Sequence, residues 1–302
     1  MNAKLSIGLP VYNEINFIKE TLDSILSQSF NFYELIIIDN CSDDGTYELL
    51  EKYSKKDGRI KLFKNKENLG MIANYNKVFE LSNGDYFSWV GAHDVYDKNY
   101  FQILLKEFHE NNEHSLVFSN VKKINKDSST FENNKVIGFE LTSKFSLLRK
   151  LVMPFKIKGS GDMVYGIFKS SQLKKTTVFS DKVLNPDYLL ITQICDLGSI
   201  FRVSKPLRKR RFFRDDEIDF NKWSEKYIHY KQRYIRNNGN VSYLLKKFPT
   251  LLMYLNILKV ITLKKSLFFP INFINSLYAS TIFLFRHRSS FIVDLAQFLK
   301  LK

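Results

Sequence analysis

The sequence predicts an α/β protein, a mainly parallel sheet flanked by helices, followed by a basic, apolar, helical C-terminal region. Short apolar runs alternate with stretches of helical spacing through residue 124, the pattern of strands joined by crossover helices. Three of the early runs end in turns rich in acids and amides, and parallel strands carry their ligand-binding carboxyl ends along one edge. The first 110 residues hold 12 Lys and Arg against 17 Asp and Glu, whereas the whole chain carries a formal charge of +15, so the basicity belongs to the back two-thirds.

The first strand is expected at 4–9, an apolar run closed by Pro10, with helical spacing over 15–27. A second strand at 33–39 leads through an Asp/Ser/Gly turn to a helix at 46–55, and a third at 60–64 leads to a helix at 71–81. Asn83-Gly84 reads as a helix C-cap, because Gly tolerates the left-handed conformation required there. Strands at 85–90 and 115–124 enclose a helix at 98–111. From 128 to 158 the alternation fades into a loop-rich excursion, after which Gly159-Ser160-Gly161-Asp162 introduces an apolar run at 163–168. Helical spacing returns at 187–197 with Pro186 marking its start, and a basic cluster follows: Lys205, Arg208, Lys209, Arg210, Arg211 and Arg214.

At 302 residues the chain is long enough for a core domain at 1–214 with an extension at 215–302. Cys41 and Cys195 show neither CxxC spacing nor a secreted-domain framework, which fits a reducing cytosol and gives no zinc site. The opening run is too brief and too weakly flanked for a secretory signal, so a cytoplasmic location is expected. A basic surface suits nucleic acid, an anionic membrane or a phosphorylated substrate. Here the cations lie among long aliphatic runs and no RNA- or DNA-binding motif is visible, so nucleic acid is not an expected partner.

Residues 220–302 hold 14 basic residues against Glu225 and Asp294 and are rich in Leu, Ile, Phe and Tyr. That is the composition of interfacial helices meeting anionic lipid. Residues 266–285 carry no charge and are long enough to span a bilayer, but Pro270, Asn272 and Asn275 interrupt them and basic residues flank both sides. Symmetric flanks favour an interfacial or hairpin segment over a single crossing. Helices that pack on the core domain or on another subunit are the alternative.

Where a dinucleotide fold would need a Gly-rich turn after its first strand, this chain has Pro10-Val11-Tyr12-Asn13-Glu14. There follow Asp39 with Ser42-Asp43-Asp44-Gly45-Thr46, Asn65 with Asn68-Leu69-Gly70, Asn74 and Asn76, then Gly84-Asp85-Tyr86 and Trp89-Val90-Gly91-Ala92-His93-Asp94. In this order and spacing, residues 4–211 resemble the inverting glycosyltransferases of the family 2 type, which have the GT-A nucleotide-sugar-binding fold.

The resemblance implies a nucleotide diphosphate sugar donor held by Pro10, Tyr12, Asn13, Glu14, Asp39, Asn68 and Gly70. A carboxylate at a strand end suits a ribose hydroxyl or a base N–H, while Asp43 and Asp44 are expected to cap the helix from Thr46. The family's acidic metal motif departs here to Gly91-Ala92-His93-Asp94, leaving Asp94 as the one carboxylate for Mg²⁺ or Mn²⁺. His93 can instead hydrogen-bond a phosphate or sugar. Asp187 matches the position of the general base that takes the acceptor's proton, with Asp162 and Asp181 as rivals and Asp162 assigned to the acceptor sugar. Arg210 and Arg211 match the segment that closes over the diphosphate.

The resemblance further implies an acceptor that is a glycan or lipid-linked glycan and a role in surface polysaccharide or glycolipid synthesis, and the basic, apolar tail adds the expectation of a peripheral position on the inner face of the cell membrane. The rival expectation is a non-catalytic descendant that binds nucleotide or membrane, motivated by the altered acidic motif.

Overall fold

The computed structural model describes residues 4–130, 138–145, 149, 160–183 and 185–211, together with residues 228, 231, 232, 235, 242, 245, 247–253, 255, 281 and 288–299. Its strands are β1 (Leu5–Val11), β2 (Tyr33–Asp39), β3 (Ile60–Lys64), β4 (Tyr86–Trp89), β5 (Val95–Tyr96), β6 (His114–Ile124), β7 (Ile167–Lys169) and β8 (Ser199–Arg211). The helices are α1 (Ile18–Leu26), α2 (Thr46–Ser54), α3 (Met71–Glu80), α4 (Tyr100–Glu110), α5 (Ser160–Met163), α6 (Ser170–Leu173), α7 (Pro186–Leu197) and α8 (Arg288–Phe298). The strands form one sheet in the order β3-β2-β1-β4-β7-β6-β8-β5. The β1/β2, β1/β4, β2/β3 and β6/β8 pairings are parallel, and those involving β7 and β5 are antiparallel.

Strand alternation builds a core on each face of this sheet. In β2, Leu35 and Ile37 pack on one side with Leu5, Ile7, Leu9, Ile18, Leu22 and Leu104, whereas Ile36 and Ile38 pack on the other with Val78, Phe87, Trp89 and Leu190. A strand covered on both faces reads as a continuous apolar run, which is why β2 shows no polar alternation. Full burial of each such side chain contributes about 1.5–3 kcal/mol. Trp89 sits among aromatic rings, its centroid 4.7 Å from Phe87, 5.6 Å from Phe168 and 5.0 Å from Phe179, and its indole N–H donates to the Tyr75 carbonyl at 2.9 Å.

The expected strands and helices through residue 124 are present with ends shifted by up to three residues. Gly84 differs in its physical reason. It does not cap α3, whose C-cap is Leu81, and it has no positive φ. A Cβ at Gly84 would stand 2.7 Å from the backbone N of Ser6 and 2.8 Å from the carbonyl of Lys4, so the glycine allows β1 to pass close by. Strands β5, β7 and β8 were not anticipated; β8 absorbs the basic cluster as far as Arg211, whose cations mask the strand. Arg214, residues 266–280 and most of 128–158 that follow 130 lie outside the described residues.

Part of the C-terminal extension joins the core: Leu245 and Met253 are buried in the cluster that contains Tyr188, Leu189 and Leu190. Asp294 accepts from Lys231 Nζ at 2.8 Å and from the Thr250 N–H at 3.1 Å and is fully buried. One of the two acids of residues 220–302 therefore serves the interior of the extension. Among the described residues no helix is long and apolar enough to cross a membrane.

Candidate active site

The parallel register sets Val11 beside Asp39, and Gly8 beside Trp89, so the turns after β1, β2 and β4 lie along one edge. The first two are stapled together. Asn13 donates its N–H to Ser42 Oγ at 2.9 Å and its amide to Asp43 Oδ1 at 2.8 Å, and accepts from the Asp43 N–H at 3.1 Å. The Glu14 N–H reaches Thr46 Oγ1 at 2.9 Å and the Ile15 N–H reaches Asp44 Oδ2 at 3.1 Å. Asp44 also accepts from the Thr46 N–H at 3.0 Å, so it holds the start of α2, whereas Asp43 faces Asn13 and Gly45 is the N-cap. Asn13 (φ 52°) and Cys41 (φ 66°) adopt left-handed backbone, a local strain that the stapling holds in place.

Asp39 is fully buried at the end of β2. Its Oδ2 accepts from the Ser42 N–H at 3.0 Å, while Oδ1 is buried with no hydrogen-bond partner among the described residues. Buried acceptors are almost always satisfied, and an orphan costs about 1–3 kcal/mol, so such an atom marks a place where a ligand donor is wanted. Beside it, Asn40 accepts from Asn65 at 2.9 Å and from the Leu69 N–H at 3.0 Å, and donates to Asn68 Oδ1 at 2.7 Å, which also accepts from the Gly70 N–H at 2.9 Å. Asn74 donates to the Ile38 carbonyl at 3.1 Å. These amides fold the turn before α3 against the end of β2. Pro10 is buried within β1, and Tyr12, 46% exposed, stands at the surface of the turn.

At the third turn, the Thr21 hydroxyl donates to the carbonyls of Ala92 (3.0 Å) and Asp94 (2.8 Å). A Cβ at Gly91 would lie 2.9 Å from Asp94 Oδ2, so glycine gives that carboxylate its room. His93 Nδ1 lies 2.9 Å from Glu14 Oε1. Burial pulls the His93 pKa down, but the hydrogen bond the ring donates to Glu14 and the charges of Asp94 and Glu14 outweigh it, leaving the imidazole above its ordinary value.

The fourth wall comes from β8, opposite Asp162 of α5. Arg208 and Arg210, two apart on a strand, share a face. Arg210 Nη1 lies 3.0 Å from Asp162 Oδ2 with its side chain 37% exposed. Arg208 is buried, ion-paired with Asp162 Oδ1, 3.3 Å from Asp94 Oδ2, and stacked at 4.4 Å over the ring of Tyr165. Burial opposes its charge, but Asp94 and Asp162 more than restore it and push the guanidinium pKa up. Arg211 is arranged differently from Arg210: it pairs with Glu20, donates to the carbonyls of His93, Asn125 and Lys126, and lies 4.8 Å over Phe17. Its backbone N–H donates to Asp94 Oδ1 at 3.2 Å.

Asp187, half-buried in the first turn of α7, lies close to Asp162's element: its Oδ2 is 3.2 Å from the point where a Cβ on Gly161 would be. Asp181 is exposed on the surface. Arg208 was passed over in the sequence as one cation of a cluster. No local signal would have found it, because buried Leu207, Arg208 and Arg211 follow no two-residue alternation and the acids that pair with Arg208 lie far away in sequence.

A divalent cation does not fit the donor set. Among the described residues no three His, Cys, Asp or Glu side chains gather to hold a metal. Asp94, the carboxylate left for that task, has one oxygen beside a buried guanidinium and the other on a backbone N–H.

Residues 6–170, more than half of the chain, match the family model described as glycosyl transferase family 2. The chain belongs to glycosyl transferase family 2. TuaG of Bacillus subtilis, named a putative teichuronic acid biosynthesis glycosyltransferase, is 37% identical over 95 residues, 32% of this chain and 38% of that protein. The chain spans about a third of the length of the curated relatives it matches first. Staphylococcus aureus TarS 1-349, solved in complex with UDP-GlcNAc, superposes with a TM-score of 0.56 at 16% identity, covering 98% of this chain and 92% of that one. A Pyrobaculum calidifontis mannosyltransferase, solved in complex with GDP-Man and Mn²⁺, gives 0.54 at 14% identity, covering 96% and 76%. At these identities the likeness is one of fold: the mixed, mostly parallel sheet flanked by helices is the GT-A-like fold of TarS.

Proposed function

We propose that this family 2 chain transfers a sugar from a nucleotide diphosphate sugar to an acceptor hydroxyl with inversion, in the synthesis of a surface polysaccharide or glycolipid. The observation that carries this reading is the buried, unpartnered Oδ1 of Asp39 at a carboxyl edge of the parallel sheet, where a ribose hydroxyl or base N–H would complete it. Pro10, Tyr12, Asn13, Glu14, Asn68 and Gly70 shape the turns around that atom. The teichuronic acid biosynthesis named for TuaG and the UDP-GlcNAc bound by TarS support the substrate class.

In the proposed step the acceptor oxygen attacks the anomeric carbon as the bond from that carbon to the diphosphate oxygen breaks. The acceptor's proton passes to the Asp187 carboxylate, and the nucleoside diphosphate leaves with the electron pair. His93 and the exposed side of Arg210 are the cations assigned to the charge that develops on the leaving group. Asp162, assigned to the acceptor sugar, also orients Arg210 through their ion pair. No step is routed through a metal, because Asp94 is already engaged by Arg208 and Arg211. The basic extension is assigned to an anionic membrane on its cytoplasmic face, bringing a lipid-linked acceptor to the pocket.

The catalytically silent alternative draws on Gly91 and His93 standing where the family's acidic motif carries two acids. The test is a thermal-shift screen of the chain against UDP, GDP, CMP and dTDP, followed by NMR detection of the transferred sugar's anomeric configuration. A shift with one nucleotide diphosphate and an inverted product support the transferase; a shift without turnover supports a silent nucleotide binder, and no shift with any nucleotide removes the transferase and leaves the non-catalytic, membrane-binding descendant.

A further inference from the structure

Arg208 is an unusual cation for a surface-facing site: its side chain is 1% exposed, and it lies between two carboxylates that are themselves almost completely buried. Its position is set by backbone on both sides, since β8 pairs Arg208 with Val121 of β6 and with Tyr96 of β5. Nη1 is 3.3 Å from Asp94 Oδ2, Nη2 donates to Asp162 Oδ1, and the Tyr165 ring covers the guanidinium plane at 4.4 Å. A planar fork suits two separate carboxylates in a way a point charge does not. Asp94's other oxygen accepts from the Arg211 N–H at 3.2 Å, so one oxygen is hydrogen-bonded to β8 and the other lies within ion-pair distance of it.

A divalent ion at Asp94 would therefore meet a fixed guanidinium across one oxygen, in a setting where repulsion between cations is weakly screened. Beside Asp94, Gly91 and Ala92 bring no side-chain donor atom, and His93 Nδ1 is turned to Glu14 at 2.9 Å. Arg210, on the same strand face, holds Asp162 from the solvent side.

We propose that Arg208 stands in for the divalent cation, neutralising Asp94 and Asp162 together, so that the nucleotide diphosphate binds without metal. Arg208 is a positioning residue: it does not touch the donor, but it removes the negative charge that would repel a diphosphate and keeps Arg210 as the exposed cation of the cluster. This inference deepens the donor-binding reading and rests on it, so the test separates the two.

Mn²⁺ alone is titrated into the full chain and into Asp94→Asn, with the free aquo-ion followed by EPR. The expected result is the same small signal loss in both; loss in wild type that Asp94→Asn removes would overturn the proposal. UDP and GDP are then titrated by calorimetry in chelator and in Mn²⁺. Affinities agreeing within about twofold support it, and a drop of about tenfold or more in chelator overturns it. If neither nucleotide binds in either buffer, the donor reading fails while the Mn²⁺ titration still decides what Arg208 does. Arg208→Gln, which leaves the two acids uncompensated, is expected to gain Asp94-dependent Mn²⁺ binding. A folded Arg208→Gln with no such gain contradicts the proposal, and an unfolded one leaves the wild-type titrations to decide.

Discussion

Glu14 Oε1 lies 2.9 Å from Nδ1 of His93, so the turn after β1 and the turn after β4 are joined by a contact whose strength depends on a proton. Folding raises the His93 pKa despite the burial that opposes it, because Glu14 and Asp94 favour the imidazolium. A raised value means that the stabilisation is complete below the ordinary histidine pKa of about 6.5 and is lost as pH rises through the higher folded value. Stability in urea should therefore decline over that interval. Glu14→Gln removes the charge and leaves only a weaker, neutral acceptor while the burial stays, so the His93 resonance followed by NMR should titrate at lower pH than in wild type. Identical titrations in the two proteins would show that Glu14 does not set the proton affinity.

Asp39 has an oxygen with a partner and an oxygen without one, and the two should respond differently to substitution. Asp39→Asn can keep an acceptor for the Ser42 N–H while placing an NH₂ where Oδ1 stands. A ligand donor would then meet a donor, and a hydrogen bond to a charged group contributes about 1.5–3 kcal/mol, so nucleotide affinity should fall about ten- to a hundredfold. The unliganded protein should melt no lower than wild type, because the substitution removes a buried, half-satisfied charge. Unchanged nucleotide affinity by calorimetry would take Asp39 out of the binding site.

The parts of this arrangement that the sequence exposes are those governed by period and turn chemistry. β2 and the helix spacing of α3 and α4 are legible because burial on a fixed face forces an apolar repeat. The turns containing Asp39 and Asp94 are legible because they end such runs. β8 is not, since its Lys and Arg residues hide a strand whose inward cations are neutralised by acids far away in sequence: Asp94, Asp162 and Glu20. Pairing across more than a hundred residues, as between Arg208 and Asp94, leaves no local trace. Gly84 was recognisable as punctuation, but the reason for it is the nearby backbone of β1.

That reason is testable. A methyl at Gly84 would meet backbone atoms of Ser6 and Lys4 at 2.7 and 2.8 Å, and backbone in the central strand cannot turn aside as a side chain can. The Gly84 N–H also donates to Ser6 Oγ at 2.9 Å, which in turn donates to Glu34 at 2.6 Å, so displacing the strand disturbs a buried chain of hydrogen bonds. Gly84→Ala should destabilise by about 1–3 kcal/mol, read as a lower urea midpoint with the slope unchanged. A midpoint equal to that of wild type would mean that β1 and the Gly84 turn are less closely packed than described.

Asp187 and Gly161 offer a graded test of the proposed base. Asp187→Asn keeps shape and removes basicity, so turnover should fall about 10²–10⁴-fold while donor affinity stays near wild type. Loss of donor affinity instead would place Asp187 in the nucleotide subsite. Gly161→Ala leaves the carboxylate intact but sets a methyl 3.2 Å from Oδ2, close enough to push it by a few tenths of an ångström. Proton transfer is sensitive to such displacements, since about 1 Å of misplacement can cost about 10²-fold, so Gly161→Ala should lower kcat by a smaller factor than Asp187→Asn, with KM for the donor unchanged. Combined in one chain, the two substitutions should be no worse than Asp187→Asn alone, because a displaced base and an absent one fail at the same step. Additive losses would mean that Gly161 acts on turnover by a route that does not pass through Asp187.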